Sequence, residues 1–212
     1  MSDSLVDCLQ NDIIFGMYTP GYRLTEDQIM ARFDVKRHAV RAAFNELKIR
    51  GLLVHKPNRG FEVIAFEPDE VDALYEVRII LETAAAQRTP LPASRSTLSK
   101  LTGIARAHQQ ACEKMDLRAV FALNNEFHQT AFACCENARL IELIEEHARV
   151  AQPIRVVKYD DSAHMQVIVA QHFDIIKALG GTSQSAYVQA TRQHLPASAE
   201  AFRIRYENRF GQ

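Results

Sequence analysis

The chain has 212 residues, 47% hydrophobic and 24% charged, a balance that buries a core in one large domain or two small ones and excludes a disordered chain. No apolar run approaches the roughly 20 residues that span a bilayer, and the start, "MSDSLVDCLQNDII", is acidic and amphipathic, unlike a secretory leader. The net charge of −1 conceals a patch: from Arg32 to Arg59 eight Lys/Arg stand against Asp34 and Glu46, a local +6 that leaves −7 for the remainder.

In chain order, the apolar spacing of Leu5, Leu9 and Ile13 predicts a first helix over Leu5–Met17. Pro20-Gly21 signals a turn, and Thr25 is a good N-cap for the short helix "EDQIMARF", whose leading acids favour the dipole. A tight turn at "DV" leads into "KRHAVRAAFNELKIRG", a helix that buries Val40, Ala43, Phe44 and Leu47 and stops at Gly51. The β-prone runs Leu52–His55 and Phe61–Ala65 around "KPNRG" predict a hairpin.

Helix, short helix, tight turn, helix and basic hairpin describe a winged helix-turn-helix. Its charges have a pattern. Lys36, Arg37, His38 and Arg41 lie at the start of the second helix of the pair, the end that enters a major groove, with Arg32 just before them. Lys56 and Arg59 flank the hairpin tip, where Gly60 lets backbone approach a phosphate. Cations on two elements that meet on one side of a module point to double-stranded DNA, although most charge clusters are simply solvated faces.

Pro68 and Asp69 mark a boundary, so the expected domains are 1–67 and 68–212. Beyond it the pattern is helical throughout, with six helices near 69–88, 94–114, 116–136, 138–157, 162–180 and 183–208. Pro196 should kink the last of them. The fold class is therefore mainly α: three helices and a small β-hairpin wing, followed by an all-α antiparallel bundle. The four cysteines (8, 112, 134 and 135) read as reduced thiols, which suits a cytoplasmic protein. Within the bundle, "NNEFHQTAF" stacks Asn124 and His128 one turn apart on a helix that is otherwise largely apolar.

The run "PGYRLTEDQIMARFDVKRHAVRAAFNELKIRGLL" followed by "NRGFEV" resembles the GntR family of transcriptional regulators, and "LYEVRIILETAAA", "NNEFHQTAFACCENARL", "QHFDIIKAL" and "TRQHL" resemble its FadR-like C-terminal (FCD) domain. The resemblance covers essentially the whole chain. It implies that Arg37 and Arg41 contact DNA and that Gly60 approaches the minor groove. Lys36 stands where the family has Ser or Thr, His38-Ala39 where it has Thr-Pro, and Asp34 where it has a turn glycine; Asp tolerates that backbone. In the bundle the resemblance implies that Arg78 faces a ligand cavity and that the metal ligands fall on Asn124, His128, His172 and His194.

A lone helical histidine is more often a core or exposed group than a ligand. Three at matching depth on successive antiparallel helices suit a divalent ion, zinc or nickel, with positions open for a carboxylate. Asn124 brings no negative charge, so metal affinity should fall and attraction for an anionic effector should rise. A metal-free pocket that hydrogen-bonds the effector is the rival. Arg78 is suited to bind an effector carboxylate bidentately, or to pair with Glu76 or Glu82; Arg155 is a second cationic contact or a side chain that snorkels to solvent.

The expected protein is a homodimeric, ligand-responsive repressor, not an enzyme. It binds a palindromic operator and senses a small organic acid. The alternatives are a metal-dependent hydrolase-like enzyme on the three-histidine site, which lacks a recognisable general base, and a bundle that only dimerises.

Overall fold

The computed structural model describes residues 4–159 and 161–210. Two compact units divide the chain: the first holds everything up to Glu67 together with Arg149–Pro153, the second runs from Pro68 to Ala148 and from Ile154 onward.

In the first unit, α1 (Leu5–Ile14) is capped by the Ser4 side chain and buries Leu9, Ile13 and Ile14. It ends three residues before the predicted Met17, because Gly16 leaves the helix at a φ of 80°. A short strand, β1 (Arg23–Leu24), precedes α2 (Glu26–Phe33). Thr25 caps α2 through a complete capping box with Gln28. Asp34 makes the turn in the left-handed conformation, φ 51° and ψ 47°, and α3 (Arg37–Ile49) follows. Val40, Ala43, Phe44 and Leu47 on α3 are buried as the spacing predicts, packed with Leu9, Ile29 and Leu52.

The wing is formed by β2 (Leu53–Lys56) and β3 (Gly60–Val63), paired antiparallel with Lys56 opposite Gly60. The sheet has one more strand than the hairpin expected: β1 adds to the far edge of β3, with Arg23 opposite Glu62. Two residues are too few for an alternating pattern, so the pairing has no sequence signature.

The second unit contains α4 (Pro68–Arg88), α5 (Arg95–Glu113), α6 (Leu117–Phe132), α7 (Ala138–Val150) as far as Ala148, α8 (Gln152–Arg155) from Ile154, α9 (Ser162–Leu179), α10 (Gln184–His194) and α11 (Pro196–Phe210). No strand occurs in it among the described residues. Two expected helices are broken. The stretch 138–157 interrupts at Ala151, and α8 gives way to a 3-10 turn, Val156–Lys158. The stretch 183–208 is two helices rather than one kinked helix: Pro196 begins α11, where its missing N–H costs nothing. Ala86, Leu101, Phe127, Ile175, Leu179 and Tyr187 anchor the core of the bundle.

Candidate functional site

The first unit carries a cationic surface. Lys36, Arg37, His38 and Arg41 are exposed at the leading end of α3, and Lys56 and Arg59 are exposed on the wing. Phe61 of β3 packs on Phe44 of α3, ring centroids 5.2 Å apart, which fixes the wing against this helix. Gly60, at a φ of 78°, has open space around the position of a Cβ, so backbone is accessible at the wing tip.

Two acids at the start of α2, missed by sequence reasoning, engage the arginines. Arg37 Nη2 donates to Asp27 Oδ1 at 2.9 Å, and its Nε lies 3.5 Å from Glu26 Oε2. Arg41 Nε donates to Glu26 Oε1 at 2.7 Å. These acids had a sufficient local explanation in the helix dipole, and only the turn at Asp34 brings them against α3. Exposed pairs of this kind are weak and exchange readily with other partners. Lys56 has a looser neighbour, Glu62, at 3.9 Å.

Arg32 differs from the rest of the predicted set. Its Nη1 donates to Asp12 Oδ2 at 2.6 Å and to Tyr18 Oη at 2.7 Å, and its guanidinium lies over the Phe33 ring. It ties α2 to α1.

The second unit brings the three histidines together. His128 comes from α6, His172 from α9 and His194 from α10, and one ring nitrogen of each lies within 4.8 Å of the others. His194 Nε2 is 3.1 Å from His128 Nε2. Two nitrogens bound to one ion at about 2.0–2.1 Å are about 2.8–3.4 Å apart for bond angles from right to tetrahedral, so this spacing suits a shared ion. Both nitrogens of His172 are buried without a hydrogen-bond partner, the condition a ligand removes. Burial drives all three imidazoles to the neutral, ligand-ready form: His128 and His172 fall well below the usual range, and His194, pushed further by Arg78 and Arg155, is pulled down to about 3.

Asn124, one turn before His128, is buried on α6. A fourth histidine was missed. His108 of α5 is wholly buried, its ring 4.9 Å from that of His172, and burial lowers it to about 4. Its place in the stripe Leu101, Ile104, Ala105, Ala111 was readable, but nothing local pairs it with α9.

A small cavity opens beside His128 and His194, with Glu82, Phe132, Tyr187 and Thr191 among its walls. Arg78 donates to Glu82 Oε1 from Nε at 3.0 Å and from Nη2 at 2.9 Å, with both side chains buried. This is Glu82 of the two predicted partners, in the interior rather than at the surface. Arg155 is also buried and donates to Asn125 Oδ1 at 2.6 Å, while its Nε lacks a partner. Burial raises the Glu82 carboxyl, opposed by Arg78 and Arg155. Arg78 is thus held by a carboxylate, and Arg155 by a neutral amide. Glu126, two residues from His128, is exposed and stands apart from the buried cluster.

Residues 1–63 match the family described as bacterial regulatory proteins, gntR family, and residues 73–197 match the FCD domain. The chain is similar to the HTH-type transcriptional repressor RspR of Escherichia coli strain K12, at 31% identity over 94% of this chain and 88% of that protein. It is also similar to the Nta operon transcriptional regulator of Aminobacter aminovorans, at 24% identity over 84% and 83% of the two chains. The structure of E. coli McbR/YncC superposes with a TM-score of 0.80 over 95% of this chain and 96% of that one, at 19% identity. That likeness bears on the fold. No helix among the described residues is long and apolar enough to cross a membrane.

Proposed function

The chain belongs to the gntR family of bacterial regulatory proteins, DNA-binding transcriptional regulators, in the group that carries an FCD domain, and from that premise we propose that it acts as a homodimeric repressor released from a palindromic operator by a small carboxylate. Lys36, Arg37, His38 and Arg41 on α3 supply the base-reading and phosphate-holding groups, and Lys56, Arg59 and Gly60 on the wing hold the flanking backbone. A two-fold dimer matches a two-fold site.

The sensing reading rests on one observation: three neutral imidazoles converge in a unit that also buries two guanidiniums, Arg78 paired with Glu82 and Arg155 met only by the neutral Asn125 amide, its Nε unpartnered. Such a pocket carries excess positive charge in a low dielectric and is completed by an anion. His128, His172 and His194 would hold a divalent ion, zinc or nickel, with the Asn124 amide as a neutral fourth ligand. When bound, the ion supplies a Lewis-acidic position for the effector carboxylate. Arg78 and Arg155 orient that carboxylate by charge-assisted hydrogen bonds. The cavity's own carboxylate, Glu82, is committed to Arg78, which favours sensing over hydrolysis.

The test combines elemental analysis of the purified protein with anisotropy of a labelled duplex, obtained by in vitro selection, titrated with carboxylates before and after chelation. A salt-sensitive complex that a carboxylate dissociates only in the metal-loaded protein supports the reading. Protein that carries no metal, and responds to a carboxylate equally after chelation, transfers the role to direct hydrogen bonding by the histidines and Asn124.

A further inference from the structure

The metal-sensing reading, on which this inference rests, leaves one requirement open. A neutral imidazole has one lone-pair nitrogen, and only that nitrogen can take an ion. Something must decide which nitrogen of His194 it is.

Gln171 of α9 touches His194 and its neighbour in one grip. Its Nε2 donates to the Gln193 carbonyl oxygen at 3.3 Å, and its Oε1 lies 2.9 Å from His194 Nδ1. The orientation of this amide follows from chemistry. The Gln193 carbonyl sits in the last turn of α10 and can only accept. The amide end that faces it must therefore be the NH2 group, so the end that faces His194 is the oxygen. An amide oxygen can only accept, so His194 Nδ1 carries the proton. Its Nε2 is then the lone-pair nitrogen, and that atom faces His128 Nε2 at 3.1 Å.

We propose that Gln171 is a positioning residue for the metal centre: through the α10 backbone it locks its own amide, and through that amide it locks His194 as the Nδ1–H tautomer with Nε2 aimed at the ion. Gln171 directly precedes His172, so one turn of α9 supplies a ligand and orients another. Before metal binds, the lone pair of His194 Nε2 accepts from His128 Nε2–H. Loading therefore requires His128 to move its proton to Nδ1, while His194 is already set. Outer hydrogen bonds of this type change metal affinity by about 10–100-fold.

Two measurements decide the matter. In the metal-free protein labelled with 15N-histidine, the ring nitrogen shifts of His194 should report a protonated Nδ1 and a lone-pair Nε2, and Gln171→Met should abolish that preference. In competition with a chromophoric chelator, Gln171→Met should bind zinc or nickel about 10–100-fold more weakly than wild type. Gln171→Glu, which keeps an acceptor, should bind at least as tightly as wild type. A protonated Nε2 on His194 in the wild type, or unaltered affinity in a folded Gln171→Met protein, overturns the assignment. If the wild type takes up neither metal while His194 shows the Nδ1–H form, the metal-sensing reading falls and Gln171 with it as a metal-positioning group.

Discussion

Arg41 Nε lies 2.7 Å from Glu26 Oε1, and the same carboxylate reaches Arg37 through its other oxygen. The two arginines of α3 proposed to contact DNA are thus tethered side by side, by ion pairs weak enough to exchange.

Replacement of Arg37 or Arg41 by alanine should weaken binding to a selected duplex by about 1–3 kcal/mol for each base edge no longer read. The thermal midpoint should barely move, since exposed ion pairs contribute little to stability. Anisotropy at several salt concentrations, beside a thermal melt, separates the two effects. Unchanged affinity for both variants would remove α3 as the reading helix.

Arg32→Ala should show the opposite profile. Its bonds to Asp12 and Tyr18 hold α1 to α2, so the damage should appear as about 1 kcal/mol in urea denaturation. The salt dependence of DNA binding should keep its slope. A shallower slope would return Arg32 to the phosphate-binding set.

Asn124→Asp should tighten zinc or nickel binding, because it places a negative charge beside three neutral imidazoles. Chelator competition measures this directly. Weaker binding in the variant means that residue 124 stands outside the coordination shell.

Glu82→Gln should destabilise the bundle by about 3–5 kcal/mol, since it leaves buried Arg78 without its counter-ion. An effector carboxylate should recover part of that stability, whereas a neutral analogue should not. Denaturation curves with each additive make the comparison.

Acidification should destabilise the metal-free protein. The folded state keeps His108, His128, His172 and His194 neutral, with His108 lowered to about 4 and His194 to about 3. The unfolded chain protonates them below about 6.5. It therefore binds more protons, and stability falls as pH drops from 7 toward 5, by up to about 1.4 kcal/mol per pH unit for each histidine. Urea midpoints at pH 7 and pH 5.5 test the sign, and His108→Gln should flatten the slope.

What could be read from the sequence was what local signals encode. Thr25, the spacing of Val40, Phe44 and Leu47, and the turn around Gly60 each act within a few residues, and the winged module followed from them. Asp34 was expected to hold a glycine's conformation, and it does. The pairing of β1 with β3 and the engagement of Arg37 by Asp27 depend on segments joined only by folding. In the bundle, the positions of His128, His172 and His194 came from resemblance; their convergence is a property of three helices. His108 stayed hidden because a histidine in an apolar stripe looks the same whether or not another lies across from it. Pro196 was read as a kink because the helical pattern continues through it, yet a proline is equally at home as the first residue of a new helix.

Lys36 stands at the N-cap of α3 and contributes no side-chain hydrogen bond there, unlike Thr25 at α2. A missing cap costs about 1 kcal/mol and leaves the leading amides of the helix unsatisfied by any side chain. A phosphate oxygen is a natural substitute. In the proposed complex the nucleic acid would finish the secondary structure of α3, and amide exchange at Arg37 and His38 should slow on binding more than exchange in the already capped first turn of α2.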